Sequence, residues 1–203
     1  MMALPRLYAV ADAAFGDPVQ LARVLFDAGV RIVQIRDKSA SASELLKEVD
    51  AVLQFAPSNA QVIVNDRADV ARLSGASGVH LGQEDLTPQL ARRVLRPDQN
   101  IGYSTHNLNQ AVEADDAPVD YIAVGPVFAT STKDNAAPVL GLDRLREICS
   151  QVKKPVVAIG GITLERASAV LDCGAVSVAV IRDLLGNGRV EDRTREWVRH
   201  LES

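Results

Sequence analysis

Short, nearly continuous apolar runs rich in β-branched residues recur along the chain, at 7–11, 32–35, 62–65, 79–81, 101–104, 121–124, 156–159 and 177–180, and an amphipathic stretch follows each. Such runs suit strands covered on both faces; a strand with one wet face alternates polar and apolar residues instead. The intervening stretches carry helix signals. Residues 18–28 begin with Asp17 as an N-cap and Pro18 in the first helical position, and they stop at Gly29. Residues 41–55 open on Ser41-x-x-Glu44, the spacing of a capping box. Thr87-Pro88 repeats the cap-then-proline start, and helices are predicted at 107–114, 142–152, 163–173 (with Gly174 as a stop) and 191–201. About eight strand–helix units predict a TIM-type (β/α)8 barrel filling residues 1–203 as a compact single α/β domain. A doubly wound open sheet would want a G-x-G-x-x-G turn after the first strand, and Ala11 to Gly16 offers none.

Composition narrows the function classes. A net charge of −4 gives no general cationic footprint for nucleic acid, so any anion must be held locally. No run approaches the roughly 18 apolar residues a membrane-spanning helix needs. The start, MMALPRLYAV, lacks the cationic segment and long apolar stretch of a signal peptide. Cys149 and Cys173 show no CxxC or metal-ligand spacing and read as reduced thiols in helices of a cytoplasmic protein. The sequence leaves the oligomeric state open, a homodimer included.

Polar groups concentrate where the strand-like runs end, which is where a barrel of parallel strands builds its active site. In VQIRDK (33–38), Gln34, Arg36 and Lys38 alternate, so a period of two puts all three on one face. Arg suits a bidentate grip on phosphate and Lys supplies a point charge; the alternative is a solvated strand end with Arg36 paired to an acid. Asn65 and Asp66 end the third run, and Asp85 follows the fourth within HLGQED. Two carboxylates on adjacent loops, completed by phosphate oxygens and water, match what Mg²⁺ accepts. Asp66 could instead cap a helix over 67–73, and Glu84 and Asp85 could serve only as favourable charge before the helix at Pro88. Ser104, Thr105 and His106 follow the fifth run; a hydroxyl there suits a heteroaromatic nitrogen or a phosphate, or simply caps the next helix. His80 lies inside an apolar run and reads as a core histidine, and His200 as a surface one. Thr130, Ser131, Thr132 and Lys133 sit in a long loop, 128–141, and read as a phosphate clasp whose tail, 134–137, suits a lid. Gly160-Gly161 and Ile181-Arg182 follow the seventh and eighth runs, the usual place of a barrel's phosphate site. Together these groups suit two phosphorylated small molecules and a divalent metal.

In order and spacing, VQIRDK, NDRADVA, GVHLGQEDL, STHN, DYIAVGPVFATSTK and PVVAIGGI resemble the thiamine phosphate synthase (thiamine-phosphate pyrophosphorylase) family over residues from about 6 to 182. The resemblance implies a TIM barrel that condenses hydroxymethylpyrimidine diphosphate with thiazole phosphate, releasing pyrophosphate, by a dissociative path through a pyrimidine methyl cation. It implies that Gln34, Arg36, Lys38, Asn65 and Lys133 hold the pyrimidine diphosphate, that Asp66 and Asp85 hold Mg²⁺, and that Ser104 contacts the pyrimidine. Ser104 and Lys133 are the implied catalytic groups. Thr130, Ser131, Thr132, Gly161, Ile181 and Arg182 would bind the thiazole phosphate. Nothing resembles a nucleophile–base pair. One departure stands out: the family usually has a small residue such as Ser where this chain has Arg182. A thiazole tautomerase of the same superfamily would lack the metal carboxylates and the diphosphate lysine; a non-catalytic thiazole phosphate sensor would keep a pocket without chemistry.

Overall fold

The computed structural model describes residues 4–130 and 138–202. Eight parallel strands close on one another in chain order. They are β1 (Leu7–Asp12), β2 (Ile32–Arg36), β3 (Gln61–Asn65), β4 (Gly78–Leu81), β5 (Asn100–Thr105), β6 (Tyr121–Val124), β7 (Val156–Ile159) and β8 (Ser177–Val180). Closure pairs β1 with β8 through Leu7↔Val178, Tyr8↔Ala179 and Ala9↔Val180. Helices α1 (Pro18–Asp27), α2 (Ala42–Leu53), α3 (Ala68–Ser74), α4 (Pro88–Val94), α5 (Leu108–Asp116), α6 (Gly141–Gln151) and α7 (Leu164–Leu171) follow the first seven strands in turn. Two helices follow the eighth: α8 (Arg182–Leu185), which is not among the helices the sequence predicts, and α9 (Val190–Glu202). Among the described residues no helix is long and apolar enough to cross a membrane.

Local chemistry sets the helix starts. Asp17 accepts from the amides of Val19 at 2.8 Å and Gln20 at 3.1 Å. Ser41 and Glu44 form the reciprocal capping box the sequence predicts. Asn107 caps α5 by accepting from Gln110 N–H at 2.9 Å, so neither Ser104 nor Thr105 is needed there. Cys149 lies in α6, but Cys173 falls in the turn after α7 rather than in a helix as expected. Both thiols are free, and burial pushes that of Cys149 up to about 11.

Two cores result. One packs the outward strand residues against the helices. The other fills the barrel with Tyr8, Val10, Ile32, Ile63, Tyr121, Ala123, Val157 and Ala179. Trp197 of α9 is fully buried, and its indole N–H donates to Asp183 Oδ2 at 2.7 Å. Arg193 grips the same carboxylate through Nε at 3.1 Å and Nη2 at 2.9 Å, which fastens α8 to α9.

Inside the barrel Tyr8 and Tyr121 meet edge to face, with ring centroids 6.0 Å apart. Gly102 makes room for Tyr121: a Cβ there would lie 2.0 Å from its Cζ. Gly102→Ala is therefore expected to lower stability by about 1–3 kcal/mol, the usual effect of overpacking a filled interior. Urea unfolding measures it, as a lower midpoint at an unchanged m-value; a midpoint equal to that of the parent would show that the tyrosine ring can yield.

Candidate active site at the C-terminal mouth of the barrel

Toward their C-terminal ends the strands turn polar on the inside. Strand alternation carries Asp12 on β1, Gln34 and Arg36 on β2, Asn65 on β3, His80 on β4 and Ser104 on β5 to this end. Asp12, Gln34, His80 and Ser104 are buried. Arg36 Nη1 donates to Asp12 Oδ2 at 2.5 Å, while Asp12 Oδ1 accepts from Ala14 N–H at 3.0 Å. The acid that the sequence reading allowed as a partner for Arg36 thus exists. Asp12 itself was missed because β1 was ended at Ala11; the register pairs Asp12 with Arg36.

Asp66 is the sole described non-glycine residue with positive φ, at 61°. Its amide donates to His80 C=O at 2.8 Å, and the next amide, of Arg67, turns back onto Asn65 C=O at 2.7 Å. Left-handed backbone is costly for any residue with a Cβ, and such outliers cluster at functional sites. Capping does not explain it, because α3 has Arg67 as its N-cap and no side-chain cap bond. The turn brings the Asp66 carboxylate within hydrogen-bonding reach of Asp85 and places Oδ2 3.3 Å from Lys38 Nζ. Asp85 Oδ2 accepts from Gly82 N–H at 2.6 Å. Burial and the neighbouring charge of Asp66 push the Asp85 carboxyl above its ordinary value, while the Gly82 amide and Lys38 pull it down. Two carboxylates are thus held against each other with one exposed lysine beside Asp66. Among the described residues no group of three or more His, Cys, Asp or Glu side chains could hold a metal, so a cation here would depend on this pair and on ligands from outside the protein.

Beneath the mouth runs a chain of hydrogen bonds. Gln34 Nε2 donates to Tyr8 Oη at 2.9 Å, Tyr8 and Tyr121 share a bond of 2.9 Å, Tyr121 Oη meets His80 Nδ1 at 3.0 Å, and His80 Nε2 meets Ser104 Oγ at 2.9 Å. His80 is the core histidine the sequence suggested, stacked on Tyr121 at 24°. Burial raises the phenol of Tyr8 to about 12 and pushes that of Tyr121 well above its ordinary value, so both stay protonated at neutral pH. Gln83 was also missed; its Nε2 donates to Ser104 C=O at 2.6 Å and fixes the backbone at the end of β5. Thr105 bonds Ala123 C=O at 3.1 Å, and His106 Nδ1 meets Gly125 C=O at 2.6 Å, so both brace β6.

On the opposite side the loops after β6 and β7 lie on each other. The amides of Val127 and Phe128 donate to Ile159 C=O at 2.9 Å and Gly160 C=O at 3.0 Å. Gly161 takes φ 61°, and a Cβ there would meet Ala129 C=O at 2.5 Å. This contact brings the start of the hydroxyl run, half-buried Thr130, toward Gly161. Ser131, Thr132 and Lys133 lie outside the described residues. Ile181 forms the N-cap of α8, so an unpredicted short helix begins beside β8, at the usual place of a barrel's phosphate site. Arg182 is exposed and lies over the Phe15 ring, 5.5 Å from its centroid, rather than turning down into the barrel.

Comparison with known proteins identifies the family. A family model described as thiamine monophosphate synthase matches residues 7–184. The thiamine-phosphate synthase of Koribacter versatilis is 47% identical over 207 residues, covering 98% of this chain and 97% of that protein. That of Chlorobium phaeovibrioides is 42% identical, covering 87% and 85%. The solved thiamine phosphate pyrophosphorylase of Pyrococcus furiosus superposes with a TM-score of 0.89 at 36% identity, over 97% of this chain and 95% of that one. The matched span takes in the whole mouth from Asp12 to Arg182, and the chain belongs to the thiamine monophosphate synthase family.

Proposed function

We propose that the protein is a thiamine phosphate synthase, a transferase that joins hydroxymethylpyrimidine diphosphate to hydroxyethylthiazole phosphate and releases pyrophosphate. The observation that carries this reading is the Asp66–Asp85 carboxylate pair, held by a left-handed backbone turn beside Lys38 at the mouth of the barrel. In the reaction the bond between the pyrimidine methylene carbon and the diphosphate oxygen breaks. The thiazole nitrogen then gives its lone pair to that carbon. Charge builds on the departing diphosphate, so the main task is electrostatic.

Arg36, Lys38, Asn65 and Lys133 suit the diphosphate, and Asp12 holds Arg36 in place from behind. Gln34 and Ser104 suit the pyrimidine ring. Thr130, Ser131 and Thr132, with Gly161 and the backbone at Ile181 and Arg182, suit the thiazole phosphate. The position of the Arg182 side chain over Phe15 supports a backbone role at that point. The carboxylate pair fits Mg²⁺, which keeps several waters and takes one or two carboxylates plus phosphate oxygens. Asp66 and Asp85 would hold it, and it would neutralise charge on the diphosphate. The substrates are small phosphorylated molecules and the setting is the cytoplasm.

Thiamine phosphate and pyrophosphate should form from the two purified substrates only when Mg²⁺ is present. Undiminished product in excess EDTA would overturn the metal reading, and absence of product with intact thiazole phosphate binding would point to a sensor. Asp66→Ala should reduce turnover by at least ~100-fold, since metal charge stabilisation is worth several kcal/mol; full activity would remove Asp66 from the site. In metal-free buffer at pH 7, Asp66→Asn should melt above the parent protein. It keeps a residue tolerant of left-handed backbone and removes the charge that disfavours ionised Asp85. Because the folded Asp85 carboxyl sits above its unfolded value, the destabilisation develops as pH rises through it, so the two proteins should converge as the pH falls below the carboxylate range. Equal melting temperatures at pH 7 would show that the pair is not repulsive. Lys133→Ala should weaken the pyrimidine diphosphate far more than the thiazole phosphate in calorimetric titrations, and equal losses would contradict two separate pockets.

A further inference from the structure

The hydrogen-bond chain under the mouth has a direction, and the direction follows from counting hydrogens. Tyr8 and Tyr121 are 1% and 0% exposed, so neither phenol can turn its hydrogen to water. Gln34 Nε2 gives one amide hydrogen to Tyr8 Oη. Tyr8 must place its own hydrogen on its other partner, Tyr121 Oη. Tyr121 then donates to His80 Nδ1. A neutral imidazole with an acceptor at Nδ1 carries its hydrogen at Nε2, which donates to Ser104 Oγ. The Ser104 hydroxyl hydrogen is the one left over, and it is available at the end of β5, where the strands open to the mouth. At the other end, the Gln34 amide commits one of its two N–H groups inward, so its carbonyl oxygen is not spent on Tyr8 and is the acceptor it brings to the site.

Every alternative leaves a defect. If His80 carried its hydrogen at Nδ1, or at both nitrogens, Tyr121 would donate to Tyr8, and Tyr8 would receive from both neighbours. Its own buried hydrogen would then face no acceptor, a loss comparable to a broken hydrogen bond. The defect is cured only by turning the Gln34 amide over. In the neutral Nδ1–H form that reverses both ends together, Gln34 donating to the site and Ser104 accepting; in the doubly protonated form it reverses the Gln34 end alone, because Nε2–H still donates to Ser104.

We infer that Tyr8, Tyr121 and His80 act as positioning residues that lock the two ends of this chain in opposite roles, Gln34 as acceptor and Ser104 as donor, and so select a heteroaromatic ring with an exocyclic amine beside an unprotonated ring nitrogen over the oxo-substituted ring. The ring partner rests on the pyrimidine reading of the site; the polarity of the chain does not. An amine donates to the Gln34 oxygen while a ring nitrogen accepts from Ser104. An oxo ring, with N–H and C=O exchanged, meets donor against donor and acceptor against acceptor, and a site built on hydrogen bonds rejects such a mismatch strongly. Tyr121, packed on Gly102 and against Tyr8, has no room to rotate away.

Two measurements on the full chain test this. Long-range ¹⁵N–¹H correlation of ¹⁵N-histidine-labelled, ligand-free protein reads the tautomer directly, and His80→Asn assigns its signals among the 3 histidines. The neutral Nε2–H form is expected; an Nδ1–H or doubly protonated His80 overturns the inference whatever the enzyme turns over. Kinetics with pyrimidine diphosphates carrying either the amine or an oxo group in its place read the consequence. Tyr121→Phe keeps the ring and removes the donor to Nδ1, and Tyr8→Phe breaks the chain one bond earlier. Either should cut the amine-over-oxo ratio in kcat/KM by about tenfold or more, while Mg²⁺–pyrophosphate binding by calorimetry stays at the parent level. An unchanged ratio in both variants overturns the selection role. An Nε2–H His80 in a protein that binds neither diphosphate would instead overturn the pyrimidine reading and leave the polarity standing.

Discussion

Water is kept out of the interior of an eight-stranded barrel, which is just wide enough for side chains to fill. That exclusion governs what the inside of this molecule can contain. Low on the strands the interior is aliphatic and aromatic. Higher up, the buried polar groups have partners fixed by geometry: Asp12 with Arg36, Gln34 with Tyr8, His80 with Tyr121 and Ser104. A polar group without a partner in such a place costs about as much as the hydrogen bond it lacks. The site is therefore a set of mutually satisfied groups, and a ligand meets only what those groups have left over. The same low dielectric strengthens the interactions that remain, which is the condition for electrostatic catalysis at the mouth.

The two sides of the mouth are built differently. On the β2–β5 side the candidate groups are side chains at strand ends, braced from below by the interior chain and from the side by Asp12 and Gln83. On the β6–β8 side the groups are backbone, hydroxyl and helix start. They are braced by the contact of Gly160 and Gly161 with the β6 loop and by Asp183, which ties α8 to Arg193 and Trp197. The closing helix thus reaches the site indirectly, through one carboxylate.

The fold was legible in the sequence because strand and helix signals are local. Apolar β-branched runs, Asp17-Pro18, Ser41-x-x-Glu44 and Thr87-Pro88 mark their elements whatever the rest of the chain does. Side chains at strand ends were legible for the same reason: a period of two fixes the face once the strand is found. What escaped is non-local. Asp12 matters because β1 lies in register with β2, and no reading of either strand alone shows that pair. The link from Gln34 to Ser104 passes through side chains on β1, β6 and β4, and each of these looks like ordinary core in isolation. The one-turn helix α8 escaped because four residues carry too little periodicity to announce themselves.

Residue 66 places two unrelated demands on one side chain. The backbone there is left-handed, a conformation that glycine, asparagine and aspartate tolerate and other residues resist. The proposed metal role asks for a short carboxylate beside Asp85, which glycine and asparagine cannot supply and glutamate cannot supply without leaving the tolerated set. One amino acid of the twenty satisfies both. A substitution here gives up either the local backbone or the charge, and no neighbouring change can restore both at once. On the proposed role the position is thus held by geometry and by chemistry acting independently, so that in the space of sequences compatible with this barrel and that role it has no adjacent alternative to drift into.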